Sequence, residues 1–306
     1  MQNESSSPTW LEPNTPWMHY ALPDHWQQGI VLICANYPGR GFDIVGTGFI
    51  AARNKDEAAM VTAKHVIEEI QRVQQRPSAA HPSALREFLP APDPLNIDLE
   101  AVFAQCYFGT GCLGVRLIDD VFVHADADVG ICRLTKQFHK AGMSPAERDD
   151  VPLDVGAEND FQTAFLIADL LPEVDSTVGV LCFTKMGMDR HAHVEEEHSY
   201  EITTNPTLRL GRVTAVYPEG QGLSRGPCFE TTIPFIGGMS GAPVVTWGQR
   251  GALKVIGVVC SDLDNLDSDP YDTSTAGCSR VAKLPMEVEQ LGPASTKAMI
   301  ARLQRA

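Results

Sequence analysis

The chain has no run of eighteen apolar residues, so none of its 306 residues are expected to cross a membrane as a helix. Its first residues, MQNESSSPTWLEPNTPW, have no basic stretch followed by an apolar core, so no secretory leader is expected there. Its eight cysteines contain no Cys-x-x-Cys pair, which argues against a zinc ribbon. It has no excess of positive charge. The net charge is −15 and the pI about 4.9, which argues against nucleic acid or an anionic membrane surface as the main partner. No histidine follows His198, the last of nine.

What is present fits a globular protein of one large or two medium domains, with 43% hydrophobic and 21% charged residues. Cys34, Cys132, Cys182 and Cys260 lie inside apolar runs and read as small buried hydrophobes. Reduced thiols point to a cytoplasmic location.

Residues 1–28, rich in Pro, Trp and polar residues, read as an irregular N-terminal arm. Short β-branched runs then alternate with Gly, Pro, Asn and Asp turns. They are GIVLICAN at 29–36, DIVGTGFIAAR at 43–53 and AAMVTAKHV at 58–66. That spacing predicts an antiparallel sandwich or barrel rather than βαβ units. VIEEIQRVQQ at 66–75 carries helical spacing, and 76–98 is a proline-rich loop. Strands resume at 100–108, 113–118 and 119–134, and a polar crossing follows at about 136–160. In the second half, strands are expected at 162–168, 177–184, 208–217, 227–234, 242–248 and 252–260. The stretch MGMDRHAHVEEEHSYEITT between them reads as a charged surface excursion. The tail PASTKAMIARLQRA at 293–306 predicts a capped amphipathic helix.

The chemistry centres on IGGMSGAPVV at 236–245, where Ser240 sits on a glycine-rich turn before an apolar strand. A plain Gly-Ser turn would look the same. A serine hydroxyl is a weak nucleophile and needs a neighbouring base. GMSGA is one residue away from the G-x-S-x-G elbow, but that arrangement places its histidine after the serine, and here none follows. The order is therefore His…Asp…Ser or Asp…His…Ser. His65, between a buried strand and a helix, is the candidate base. Asp126 and Asp128, in HADADVGIC, are the candidate acids.

Three segments in order resemble the trypsin-like (chymotrypsin-fold) serine peptidases. GTGFIAA at 46–52 with VTAKHV at 61–66 is similar to the strand that leads into that family's catalytic histidine. DVGICRL at 128–134 is similar to its D-I-A-L-L-K-L segment, and GGMSGAPVV at 237–245 to its G-D-S-G-G-P turn. VIGVVCSD at 255–262 resembles the strand that follows. The resemblance covers roughly residues 29–285 and selects Asp128. It implies two antiparallel six-stranded β-barrels, an all-β fold, over 29–145 and 146–285, followed by 286–306 with a C-terminal helix. It implies a serine endopeptidase with His65, Asp128 and Ser240 as the catalytic triad. The backbone N–H groups of Gly238 and Ser240 would form the oxyanion hole. No cofactor or metal is implied. The partners are a protein or peptide substrate and a possible regulatory protein. The subtilisin order, Asp…His…Ser, is formally open, but the parallel α/β pattern is missing.

Three departures stand out. Met239 replaces the aspartate that pairs with a new N-terminal amine in some members, so no such activation switch is expected. Ala242 replaces a glycine, and Cys260 falls where a serine often supports the acid. Phe235, Ile236, Ser261 and Asp262 are the expected pocket residues, with conflicting apolar and acidic character. His191, His193 and His198 with Glu195, Glu196 and Glu197 fit no compact metal site. The alternative function is a binding module on the same fold with an unassembled triad.

Overall fold

The computed structural model describes residues 17–37, 41–54, 57–75, 96–107, 113–124, 126–135, 161, 163–192, 198–221, 226–248, 252–260 and 279–284. The first barrel begins with β2 (Ile30–Tyr37), β3 (Gly41–Arg53) and β4 (Glu57–Thr62). It continues with β5 (Val102–Tyr107), β6 (Leu113–Val123) and β7 (Gly130–Thr135), and closes in the order β2-β3-β4-β7-β6-β5. Its strands pair antiparallel throughout. The near-continuous apolar run of β2 reflects burial of both its faces, since Ile30 through Ala35 are all buried. One face fills the barrel interior (Val31, Ile33, Ala35) and the other (Ile30, Leu32, Cys34) packs outward into a shared core.

The second barrel is built from β9 (Thr177–Ala192), β10 (His198–Tyr217), β11 (Cys228–Thr231), β12 (Pro243–Trp247), β13 (Leu253–Val259) and β14 (Ser279–Lys283). They run β10-β11-β14-β13-β12-β9, and β9 pairs back onto β10 to close the ring. β1 (Trp17–Ala21) adds to β10 antiparallel, and β8 (Leu166–Ile167) adds to β13 in parallel. The protein is thus mostly β, with two closed six-stranded antiparallel barrels. Its two described α-helices are α1 (Asp24–Gln27) and α2 (Lys64–Gln75).

Three apolar clusters hold this together. One fills each barrel, and a third joins residues of both, with Leu32 and Phe49 from the first meeting Leu181, Phe183 and Val255 from the second. Phe165 packs edge-on against Phe49 at 6.4 Å between centroids. This shared cluster fixes how the barrels face each other, and so fixes any site built from both.

Several expectations need correction. The N-terminal arm is not irregular over its described part, because β1 pairs Trp17–Ala21 with Gly211–Thr207 and α1 follows. The segment 119–134 is not one strand: β6 ends at Val123, and a bend at 126–128 carries Asp128 before β7 begins. At 162–168 only Leu166–Ile167 is a strand. The charged stretch at 186–204 is mostly a two-stranded ribbon, with Gly187–Ala192 facing Thr203–His198. Backbone pairing needs no apolar alternation, so charge hides such a strand from a reading by pattern. β14 was not expected at all. Its Arg280 is a buried cation paired with Glu230 across the sheet at 3.1 Å. The helix expected at 293–306 and the crossing at about 136–160 lie outside the described residues. Among the described residues, no helix is long and apolar enough to cross a membrane.

Candidate active site

α2 starts two residues after β4 ends, so His65 enters the helix while still anchored to the barrel wall. Val66, Ile67, Ile70 and Val73 bury the helix's apolar face. The Asp128 turn is organised by His124, whose ring Nδ1 accepts the N–H groups of Asp126 (3.1 Å) and Ala127 (2.9 Å). The His124 N–H then donates to the Val129 carbonyl, closing the turn. The two candidate acids are placed differently. Asp126 is exposed, while Asp128 turns inward to His65.

Asp128 holds His65 at two points. One carboxylate oxygen lies 2.7 Å from ring Nδ1, and the other accepts the His65 main-chain N–H at 2.9 Å. A carboxylate against Nδ1 places the ring proton there and leaves Nε2 to act as the base. Burial alone would push the Asp128 carboxyl up. The charge of His65 and the hydrogen bonds from its ring and its N–H outweigh this and hold the carboxyl below its ordinary value. The Cys260 thiol is raised well above its ordinary value, by burial first and then by the Asp128 charge, so it stays protonated and able to donate. The hydrogen bond that the thiol makes runs to the Val258 carbonyl, at 3.8 Å.

Ser240 lies on the turn that opens β12. Gly238 (φ 85°) and Gly241 (φ 84°) both adopt the left-handed conformation that side chains resist. Three N–H groups of the turn are used internally: Met239 donates to Ile236, Ala242 to Met239, and Gly241 to the Val259 carbonyl. Among the described residues, no backbone carbonyl takes the N–H of Gly238 or Ser240. Met239 is fully buried in the second-barrel core, and its sulfur accepts the Ile236 N–H at 3.4 Å. An apolar side chain thus occupies the position where the resemblance leads one to look for an ion-pair partner.

The turn is docked on the first barrel. The Ser240 carbonyl accepts the Thr47 N–H at 2.8 Å, and the Gly238 carbonyl accepts the Thr47 hydroxyl at 2.7 Å. Gly241 packs so tightly on Thr47, Thr62 and Ala63 that a Cβ there would lie 2.2 Å from the Thr47 carbonyl oxygen. Ala63 is two residues before His65. On the other side, the Gly241 N–H donates to the Val259 carbonyl. The turn that carries Ser240 therefore packs directly on the end of the strand that leads to His65. Among the described residues, the Ser240 hydroxyl itself makes no hydrogen bond.

Of the expected pocket residues, Phe235 and Ile236 are half-buried against the second-barrel core. Ser261 and Asp262 lie outside the described residues. No group of metal-ligating side chains occurs among the described residues. Thr47 and Thr62 were not foreseen. Their one sequence signal is the Gly-Thr-Gly at 46–48, where small neighbours leave room for another chain segment.

No family model and no curated protein matches the sequence. The solved structures similar to it in three dimensions include the following two. The first, described as the crystal structure of Deg5, has a TM-score of 0.43 at 12% identity and covers 78% of this chain and 81% of its own. The second, the structure of the Vibrio cholerae VesB protease, has a TM-score of 0.41 at 11% identity and covers 87% of this chain. This chain spans 63% of that protein's length. Likenesses of this degree say nothing of activity. The strand order and the double closure of the barrels fit the chymotrypsin fold.

Proposed function

We propose that the protein is a serine endopeptidase that hydrolyses peptide bonds through an acyl-enzyme. The Ser240 hydroxyl attacks the scissile carbonyl carbon while His65 Nε2 takes its proton. The N–H groups of Gly238 and Ser240 hold the developing oxyanion, at about 3 kcal/mol per donor. His65 returns the proton to the leaving amine, and the acyl group remains as an ester on Ser240. Water then attacks that ester with His65 again as base, releasing the acid and restoring the hydroxyl. Asp128 keeps His65 in the required tautomer throughout.

The observation that carries this reading is the two-point grip of Asp128 on His65, 2.7 Å at the ring and 2.9 Å at the backbone. A helix-capping acid has no need to meet the ring as well. The substrate is a protein or peptide, and a partner or the ordering of a loop controls access. The cytoplasm is the proposed location, in keeping with six described cysteines that are all free thiols.

A second reading is a binding module of the same fold, favoured by the lack of a hydrogen bond to the Ser240 hydroxyl among the described residues. Incubation with a diverse peptide library, read by mass spectrometry for new termini, separates the two. Cleavage by the wild type that disappears in Ser240→Ala is expected. Identical product sets from both proteins would refute the peptidase reading.

A further inference from the structure

We infer that the Thr47 hydroxyl is a positioning residue that sets the conformation of the Ser240 turn, and with it the direction of the Gly238 and Ser240 N–H groups. This rests on the peptidase reading for its functional meaning, but not for its geometry.

Thr47 is fully buried and uses each of its polar groups on a defined partner. Its N–H donates to the Ser240 carbonyl at 2.8 Å. Its hydroxyl donates to the Gly238 carbonyl at 2.7 Å, across 191 residues of sequence. Its own carbonyl accepts the Thr62 hydroxyl at 2.7 Å. One residue of the first barrel thus grips two carbonyls of the turn, on either side of Met239. It is tied in turn to Thr62, which ends the strand leading to His65.

A glycine at φ 85° has no side chain to hold its peptide planes, so the neighbouring bonds must do it. On the C-terminal side of Gly238, the carbonyl is held by Thr47 and the next N–H by Ile236. A hydroxyl has one proton to give, and here it goes to that carbonyl. Removing it leaves the Gly238 carbonyl without this donor and leaves the 238–239 peptide held only through the Met239 N–H. The backbone bond from Thr47 to Ser240 survives any side-chain change, so the effect falls on the Gly238 side of the turn. Misplacing an oxyanion donor slows acyl transfer without emptying the substrate site.

The test compares wild type, Thr47→Val and Thr47→Ser in the full chain. Two quantities are read: the rate of labelling by a fluorophosphonate probe, and deuterium exchange of the 236–242 amides. Thr47→Val should label at least tenfold more slowly and exchange faster over 236–242, with 57–75 unchanged. Thr47→Ser, which keeps the hydroxyl, should recover most of the labelling rate and the slow exchange. A merely structural role would not separate the two variants in this way. Equal labelling and equal exchange in wild type and Thr47→Val would overturn the inference. If the wild type does not label, the peptidase reading fails. The exchange result then decides Thr47 alone: faster exchange in Thr47→Val upholds its positioning role, and unchanged exchange overturns it. Thr47→Ala, read by the same criteria, replaces Thr47→Val if the latter does not fold.

Discussion

Asp128→Asn should lower the rate of Ser240 acylation about 10³- to 10⁴-fold at neutral pH while the fold persists. The substitution is nearly isosteric, but an amide can donate toward Nδ1 where a carboxylate only accepts. The ring proton then moves to Nε2, and His65 presents a donor to Ser240 where it should present a base. The main-chain bond from His65 to the residue 128 side chain, 2.9 Å in the wild type, can survive through the amide oxygen. The loss should therefore appear in the rate and not in substrate affinity. Steady-state kinetics on a cleaved peptide reads both.

The same residue makes a linked prediction for stability. Its folded carboxyl titrates below the ordinary value, so the folded state favours the ionised form. That contribution is fully present above the unfolded carboxyl value of about 3.9, and is lost as pH falls through the lower folded value. Wild type should therefore exceed Asp128→Asn in stability above that range. The gap should narrow as the pH drops below about 4. Denaturant titrations across that range measure it. A gap that widens below about pH 4 would contradict the assignment.

Gly241→Ala should destabilise the protein by about 3 kcal/mol or more and abolish activity. Two penalties combine there. The residue holds φ at 84°, and its new methyl would lie 2.2 Å from both the Thr47 carbonyl oxygen and the Thr62 hydroxyl. Both obstacles belong to buried parts of the first barrel, which cannot swing aside. The turn must lift, breaking the Thr47 bonds that place Ser240. Gly226→Ala is the control. A Cβ there meets Ala127 at ordinary contact distances of 3.4 to 3.6 Å, so its cost should stay within about 0.5 kcal/mol. Chemical denaturation of the two variants beside wild type supplies the comparison.

The parts of this molecule that were legible in its sequence are those whose physics is local. An apolar run such as GIVLICAN reports burial, and the 66, 67, 70, 73 spacing reports a helix face. His65 stood out because a strand and a helix meet there, and Ser240 because glycines surround it. The choice of Asp128 over Asp126 needed a family resemblance, since what separates them is the cap supplied by His124. For Thr47 the sequence holds only the Gly-Thr-Gly at 46–48, because its partner lies 191 residues away. Arg280 hid β14 for a related reason, as its partner Glu230 lies on β11. Each alone looks like a surface charge, and only the pair can be buried. The β9–β10 ribbon escaped because its sequence is charged and its pairing is made by the backbone.

The central claim is that two barrels bring one histidine and one serine into proton-transfer reach. Treating the folded protein with a fluorophosphonate probe and mapping the modified peptide by mass spectrometry tests this most directly. The account predicts one adduct, on Ser240, formed by wild type and lost in His65→Ala. An adduct that forms equally well without His65, or no adduct on Ser240 in the folded protein, would contradict it.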